Sequence, residues 1–552
     1  MAQEGPSSIS LEVPAAKARA CVNCRRRKIK CDGERPKCGQ CSRSSGFQDC
    51  EYADDGPTRT QVLEEQIAIL EARIEELEKP KALRSTLTLQ NPYSAGERRS
   101  TSLPALSRGG SPHPPLLHSE LTSTPSSPSL PEGIPLIELE TLIHNFLHHG
   151  SQFGFFLNVQ NFGEAALGRS GQRPSAVLLD VVHLWAIHLS GSDELAAYEG
   201  RYLSRALRTA VDALSGTRSL NIVLHCIQAE VLLSQYFLRN TRFLEGKYHI
   251  SAAISLVLSS GLHRIRSADS YAAGGPIGPA FRSLPPPRDS IEENERINAF
   301  WTVLTLNNCW TTADGSPSNI SYTVPDARID TPWPLDINSP SFHNQSLPDL
   351  SIGTVTTFLA NLPDNGNSVA ALHAKAAILF EQASRLASQY RPNMTREQLA
   401  QLDASFSAID TLIEDFKLAL PPIQGSYSSD PREMFVIHSL AHVATIQLHN
   451  PYADLETSRV RALDAAHAIV GNLREIAVND LVYIDPIMGT LFMATCHVFM
   501  AEVVRRRRHR LSVDPTSAAV PPEEQILMDA FGTVLAAMNL FAANCRLMGS
   551  IK

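Results

Sequence analysis

The chain has 552 residues, 43% of them hydrophobic and 19% charged, with a formal net charge of −8. That length and apolar content can fill several domains and a large core, which excludes a protein disordered throughout. The first residues, "MAQEGPSSISLEVPAAKARA", hold no apolar run flanked by basic residues and predict no secretory signal, so a soluble, intracellular protein is expected.

A flexible tail is expected over residues 1–18. Residues 19–52 then crowd in Cys21, Cys24, Cys31, Cys38, Cys41 and Cys50, whereas the rest of the chain has only Cys226, Cys309, Cys496 and Cys545. An intracellular setting keeps thiols reduced, which favours metal ligation over disulfides. The gaps of 2, 6, 6, 2 and 8 residues repeat one pattern in two halves, suggesting two metal ions. Structural zinc is four-coordinate and closed, so two ions drawing on six thiolates require two cysteines to bridge. Six thiolates and two Zn²⁺ leave a charge of −2 that neighbouring lysines and arginines can offset. A segment this small cannot bury enough apolar surface to fold alone, so metal binding must supply its folding free energy.

The gap between Cys24 and Cys31 holds Arg25, Arg26, Arg27, Lys28 and Lys30, while the gap after Cys41 offers only Arg43. From Lys17 to Cys50 there are ten basic and three acidic residues, a net +7, which leaves −15 on the remaining chain. Clustered positive charge on an otherwise acidic protein is the footprint of nucleic-acid binding by counterion release. The first half of the cluster is expected to face DNA.

This segment resembles the Zn2Cys6 binuclear cluster of fungal transcription regulators, a module that sets a helix in the major groove and lets dimer spacing fix half-site separation. The resemblance implies two Zn²⁺ per chain, with Cys21 and Cys38 as the bridging ligands. It implies Lys28, the fourth residue after the second cysteine, as the base reader at a CGG triplet, with Arg27 helping there and Arg25 and Lys30 gripping phosphates. Pro36 matches the family's proline two residues before the fourth cysteine. Gly33 departs from the pattern, since a basic residue at that position often adds a phosphate contact.

Two Cys-x2-Cys pairs alone would also suit a zinc ribbon or a RING. A basic run alone would suit a solvated face or an import signal. Only the combination singles out the cluster.

After a linker at 53–58, residues 59–79 carry heptads. Leu63, Leu70 and Leu77 occupy one core position and Thr60, Ile67 and Ile74 the other. β-Branched residues at a with leucine at d favour a parallel two-stranded coil, and there Arg59 faces Glu64 and Arg73 faces Glu78 of the partner. A homodimer is expected, with dimerisation through Leu63, Ile67, Leu70, Ile74 and Leu77. Pro80 ends the helix. From 80 to 133 the composition turns to Ser, Thr, Pro and Arg without a period, which reads as a disordered linker. Ser111-Pro112, Thr124-Pro125, Ser127-Pro128 and Arg98-Arg99-Ser100 are kinase-type sequences within it.

Residues 134–552 are expected to form a large all-helical regulatory domain. The run from Gln228 to Ser267 predicts two helices with a break near Asn240 and a stop at Gly261. A capping box from Ser290 to Glu293 opens another helix. "EMFVIHSLAHVATIQLH" should end at Asn450-Pro451, and the next helix places Val460, Leu463, Val470, Leu473 and Ala477 on one face. The most membrane-like stretch, Met488 to Val504, is 17 residues long and contains His497 and Glu502, which predicts a buried helix. The basic run Arg505 to Arg510 reads as a solvated helix end. Gly261 to Arg264 and "ERINAFW" at 295 to 301 resemble the helical regulatory region of many fungal regulators.

Catalytic motifs are missing from the sequence: it has no Gly-x-Ser-x-Gly and no Gly-x-Gly. His438 and His442 stand at metal-pair spacing, but Ser439 occupies the place where a zinc peptidase needs its glutamate. The expected fold is therefore all-α, with a two-zinc cluster, a short coiled coil, a disordered linker and a helical regulatory domain. The expected function is a nuclear transcription factor for RNA polymerase II genes and not an enzyme. Its expected partners are double-stranded DNA, a second copy of the chain, the transcription machinery or co-regulators, and a small-molecule effector; no membrane is involved.

Overall fold

In the computed structural model the described residues are 20–50 and 136–550, apart from 35, 44–49, 172, 216–220, 269–283, 323–327, 340–341, 343–345, 425–429, 477–480 and 514–519. The expected tail, coiled coil and kinase-type sequences lie outside the described residues. The chain divides into two units, one ending at Glu120 and the other beginning at Leu121.

The first unit contributes two short helices, α1 (Val22–Arg26) and α2 (Gly39–Ser42). The second is helical, as expected. It begins with α3 (Leu136–His149), α4 (Val159–Ala166), α5 (Ala176–His188), α6 (Asp193–Asp212), α7 (Ile222–Arg239) and α8 (Phe243–Ser259). Next come α9 (Ser290–Asp314), α10 (Thr354–Leu359), α11 (Val369–Ala387), α12 (Arg396–Ala419) and α13 (Pro431–His449). The last are α14 (Glu456–Glu475), α15 (Ile487–Val513), α16 (Pro522–Ala542) and α17 (Arg546–Ser550). Among the described residues there is no strand, and the only bridge pairs Ser267 with Ser351.

Neighbours in sequence pack as hairpins, α5 on α6, α7 on α8 and α15 on α16, while α11 packs on both α9 and α13. These faces close over one apolar core. Its largest side chains are anchored by polar edges: Trp185 Nε1 donates to the Leu232 carbonyl at 3.0 Å and Trp301 Nε1 to that of Pro332 at 2.7 Å. Each ring also stacks, Trp185 on Phe153 at 4.2 Å and Trp301 on Trp333 at 4.4 Å. Arg239 ends α7 fully buried, with its guanidinium beside the rings of Phe153 and Tyr483 and donating to the Asn544 carbonyl.

The break at Asn240 and the stop at Gly261 stand where expected. Gly261 takes the left-handed φ of 74° after α8. Its sequel serves the scaffold: the His263 carbonyl accepts the Asp330 and Thr331 amides, and Thr331 Oγ1 bonds the Leu262 carbonyl. Helix α13 ends at His449, before Asn450-Pro451.

Three expectations need correction. Helix α9 is capped by Asp289, whose side chain accepts the Glu292 amide at 2.8 Å, so Ser290 is already helical and the Ser290–Glu293 box does not form. The Glu292 carboxylate reaches back to the Arg288 amide and binds Arg296, which fixes this register. On α14, Val460 is exposed; the inward face is Ala465, Ala466, Ile469, Val470 and Leu473, and Ala477 lies outside the described residues. The basic run is exposed at Arg505, Arg507, Arg508 and His509, as a solvated helix end would be, but it is not merely solvated. Arg505 and Arg506 bind Glu502 at 2.6 and 2.7 Å, Arg506 also binds Glu523 at 2.8 Å, and Arg507 and Arg510 bind Glu524. The run stitches α15 to α16. The stretch from Met488 is the buried part of α15, with Leu491, Phe492, Phe499 and Val503 in the core.

Candidate metal centre and nucleic-acid interface

The repeated Cys-x2-Cys halves fold alike. Cys21 and Cys38 each stand at a helix N-cap in extended backbone, and each Sγ accepts the amide three residues on, Cys24 and Cys41, at 3.4 Å. The first cysteine of each pair is thus oriented by its own helix while the second enters from the first turn.

The thiols converge. Cys21, Cys24, Cys38 and Cys41 are fully buried, with Sγ separations of 3.8 Å for Cys21–Cys38 and Cys21–Cys41, 3.6 Å for Cys24–Cys38 and 3.9 Å for Cys24–Cys41. Sulfurs about 2.3 Å from a tetrahedral zinc stand roughly 3.8 Å apart, so this donor set fits the metal. Cys31 meets Cys24 and Cys38, and Cys50 meets Cys21, Cys38 and Cys41. Burial raises the Cys21 thiol and pushes that of Cys24 up to about 12, while at Cys38 the Cys41 amide and neighbouring thiols outweigh burial and bring it to about 6. Thiolates this dense need cations among them.

The loop between the halves is held by a residue that the spacing argument overlooked. Asp32 accepts the Gly39 amide at 2.8 Å and the Glu34 amide at 3.3 Å. A Cβ on Gly39 would stand 2.5 Å from the Asp32 carboxylate, so a larger residue there would push that carboxylate off the amide it accepts. Gly33 turns at φ 77°, which explains its departure from a basic residue: the backbone uses the left-handed region. The Asp-Gly pair at 32–33 was the available turn signal. The chain closes where Cys50 donates its amide to the Pro36 carbonyl at 3.1 Å.

Arg25, Arg27, Lys28 and Lys30 are all exposed. Lys28 has φ 53°, rare for a side chain with a Cβ. Its amide bonds the Arg25 carbonyl and that of Ile29 bonds the Cys24 carbonyl, both at 3.1 Å, which is the Schellman closure of α1. The helix end thus carries exposed cationic side chains, with those two carbonyls already taken.

Elsewhere, His438 Nε2 faces the Pro421 carbonyl at 2.9 Å, and burial lowers His442 to about 3. Among the described residues, metal-type groups of three or more ligands occur only in the cysteine segment.

A thiol cluster joined to an all-helical unit defines a metal-thiolate regulator architecture. Residues 19–59 match the fungal Zn(2)-Cys(6) binuclear cluster domain, and residues 143–403 match the fungal specific transcription factor domain. The chain belongs to the fungal Zn2Cys6 transcription factors, a family whose cluster binds two zinc ions. It is 24% identical over 336 residues, 57% of its length, to the citrinin biosynthesis transcriptional activators mrl3 of Monascus ruber and ctnR of Monascus purpureus. These alignments cover 63% and 56% of the two relatives, so the chain spans less than two thirds of either. A segment of 66 residues, 11% of the chain, is 46% identical to 7% of the transcriptional activator protein acu-15 of Neurospora crassa. No solved structure matches.

Proposed function

We propose that the chain is a nuclear, sequence-specific regulator of transcription by RNA polymerase II that reads CGG-type triplets as a homodimer. The observation that carries this reading is the closed end of α1, which presents Arg25, Arg27, Lys28 and Lys30 outward from the thiol cluster. Cys21, Cys24, Cys31, Cys38, Cys41 and Cys50 hold two zinc ions, with Cys21 and Cys38 bridging; when bound, the metals supply the folding free energy that the segment lacks. Lys28, standing off the helix end, reads base edges with Arg27 beside it, and Arg25 and Lys30 grip phosphates. Relatives named as transcriptional activators support a regulator over a catalyst.

A single triplet recurs too often to select a gene, so two clusters must be held at a defined separation. The heptads at 59–79 would provide that hold. The eight residues from Glu51 to Thr58 reach at most ~28 Å at roughly 3.5 Å each, which places the coil near the dyad between half-sites.

Selection of binding sites from random duplexes by the zinc-loaded chain tests the reading. Enrichment of paired CGG triplets at fixed spacing is expected. A pool with no base preference would instead identify a zinc-dependent protein-interaction module.

A further inference from the structure

Between α13, α14 and α15 the helical unit leaves a groove of about 350 Å³. Ala494, Val498, Ala501 and Arg505 line it from α15 at spacings of 4, 3 and 4, which puts them in one stripe of that helix. Ala462 and Leu463 line it from α14, and Ile446 closes the third side from α13. Ala462, Leu463, Ala494 and Val498 are half-buried and Ala501 is exposed, so the apolar wall has surface to offer. From Ala494 to Ala501 that wall runs about 10 Å at 1.5 Å per residue.

One end of the groove is cationic. Arg459 of α14 and Arg505 of α15 meet there at Glu502, which is 4% exposed. Both oxygens of that carboxylate are already taken. Arg505 bonds Oε2 at 2.8 Å and Oε1 at 2.6 Å, and Arg506 bonds Oε1 at 2.7 Å. Arg459 Nε is left 3.6 Å away, and its guanidinium has no hydrogen bond among the described residues. Arg506 has a second carboxylate, Glu523 at 2.8 Å, whereas Arg459 has no other ion pair among the described residues. Glu456, the other acid near Arg505, is exposed and does not line the groove. Two guanidinium groups thus face the groove against one shared carboxylate, and the side chain of Arg459 keeps 24% of its surface.

The chemistry of the two parts selects an occupant. A guanidinium is a rigid fork of donors that matches a carboxylate, so an unbonded fork beside a carboxylate with no oxygen left for it calls for a second acid. A metal ion or an amine would meet like charge. An inorganic anion would leave the apolar stripe uncovered. A mostly apolar wall of this volume with a few polar groups at one end is the form of a small-molecule site.

We propose that this groove binds a small monocarboxylic acid with an apolar body, its carboxylate held by Arg459 and Arg505 and its body laid along Ala494, Val498 and Ala501. Bound there, the carboxylate is the second acid that the arginine cluster lacks, and it ties α14 to α15. The site lies within the helical unit and stands whether or not the DNA reading holds.

The test is isothermal titration calorimetry of the zinc-loaded full chain with 4-phenylbutyrate, whose length is close to the ~10 Å of the stripe. One site per chain with submillimolar half-saturation is expected. 4-Phenyl-1-butanol and 4-phenylbutylamine keep the body and change the head; acetate keeps the head alone. Each should bind at least roughly tenfold more weakly. Arg459→Met removes the guanidinium and keeps an apolar stem, while Ala501→Leu fills the stripe and leaves both guanidinium groups in place. Either change should weaken 4-phenylbutyrate at least roughly tenfold. Because Arg459 has no hydrogen bond and Ala501 is exposed, both variants should unfold near the wild-type temperature, which separates lost binding from lost folding. The proposal is overturned if 4-phenylbutyrate does not bind, if the alcohol or the amine binds as tightly, or if either variant keeps the wild-type affinity.

Discussion

Lys28→Gly should push folding and recognition in opposite directions. Lys28 holds φ 53° to close α1, a conformation that costs a residue with a Cβ about 1–2 kcal/mol and glycine almost nothing. The Schellman bonds are made by backbone and survive the change. The glycine variant should therefore hold its zinc-bound fold about 1 kcal/mol more tightly, roughly fivefold in a chelator competition. The same change deletes the proposed base contact, worth about 1–3 kcal/mol against a wrong base, so preference for a two-triplet duplex over a scrambled one should fall roughly 5- to 150-fold. Lys28→Ala is the control: it should lose the preference equally but gain no stability, because alanine keeps the Cβ penalty. Chelator competition and fluorescence anisotropy at fixed salt, on the full chain, read both quantities. Equal zinc retention by the glycine and alanine variants would refute the strained cap. Undiminished base preference in either would refute the reader.

The remaining predictions concern metal, dimer, charge and pH. Cys38→Ser should empty both zinc sites together, and a variant that still binds one zinc per chain by mass spectrometry would rule out bridging at Cys38. Replacing Ile67 and Leu70 by aspartate should leave zinc content unchanged but abolish the dimer in sedimentation, with loss of two-triplet binding; retained affinity and spacing preference would remove the coiled coil. Arg25→Ala should weaken all duplexes alike and reduce the salt slope by roughly one, and a base-dependent loss would contradict a phosphate role. Burial raises Glu295 to about 7 although its carboxylate accepts the Asn158 amide at 2.9 Å. A raised carboxyl pKa lends stability below its unfolded value that is lost as pH rises through 7, so Glu295→Gln should gain roughly 1–2 kcal/mol more at pH 8 than at pH 5, after discounting for solvent screening. A pH-independent difference in chemical unfolding would contradict it.

Legibility followed the range of the interaction. The cysteine spacing and the long apolar helices rest on local periodicity, and the breaks at Asn240, Gly261 and Asn450 rest on single residues, so all could be read directly. The cap of α9 could not be assigned because Asp289 and Ser290 are both good caps; the choice falls to Glu292, whose partners Arg288 and Arg296 lie on either side. Thr395 and Gln398 form a true capping box, which the local Thr-x-x-Gln pattern encodes. Val460 misled because large side chains were weighted over Ala465 and Ala466, whose small size suits the close packing of α14 on α13 and α15.

The basic run at 505–510 shows why charge must be judged with its partners. By composition it rivals the cysteine segment as a nucleic-acid contact, since five of its six residues are arginine. In the fold Arg505, Arg506, Arg507 and Arg510 are engaged by Glu502, which is 4% exposed and drawn down to about 2 by Arg505 and Arg506 against the effect of burial, and by Glu523 and Glu524. Cations already neutralised within a helix pair release few counterions when a phosphate approaches, so they add little to DNA affinity. Near α1, Asp32 is committed to two backbone amides, those of Glu34 and Gly39. Two runs alike in composition are therefore not equivalent: the one at 505–510 spends much of its charge on carboxylates inside the helical unit.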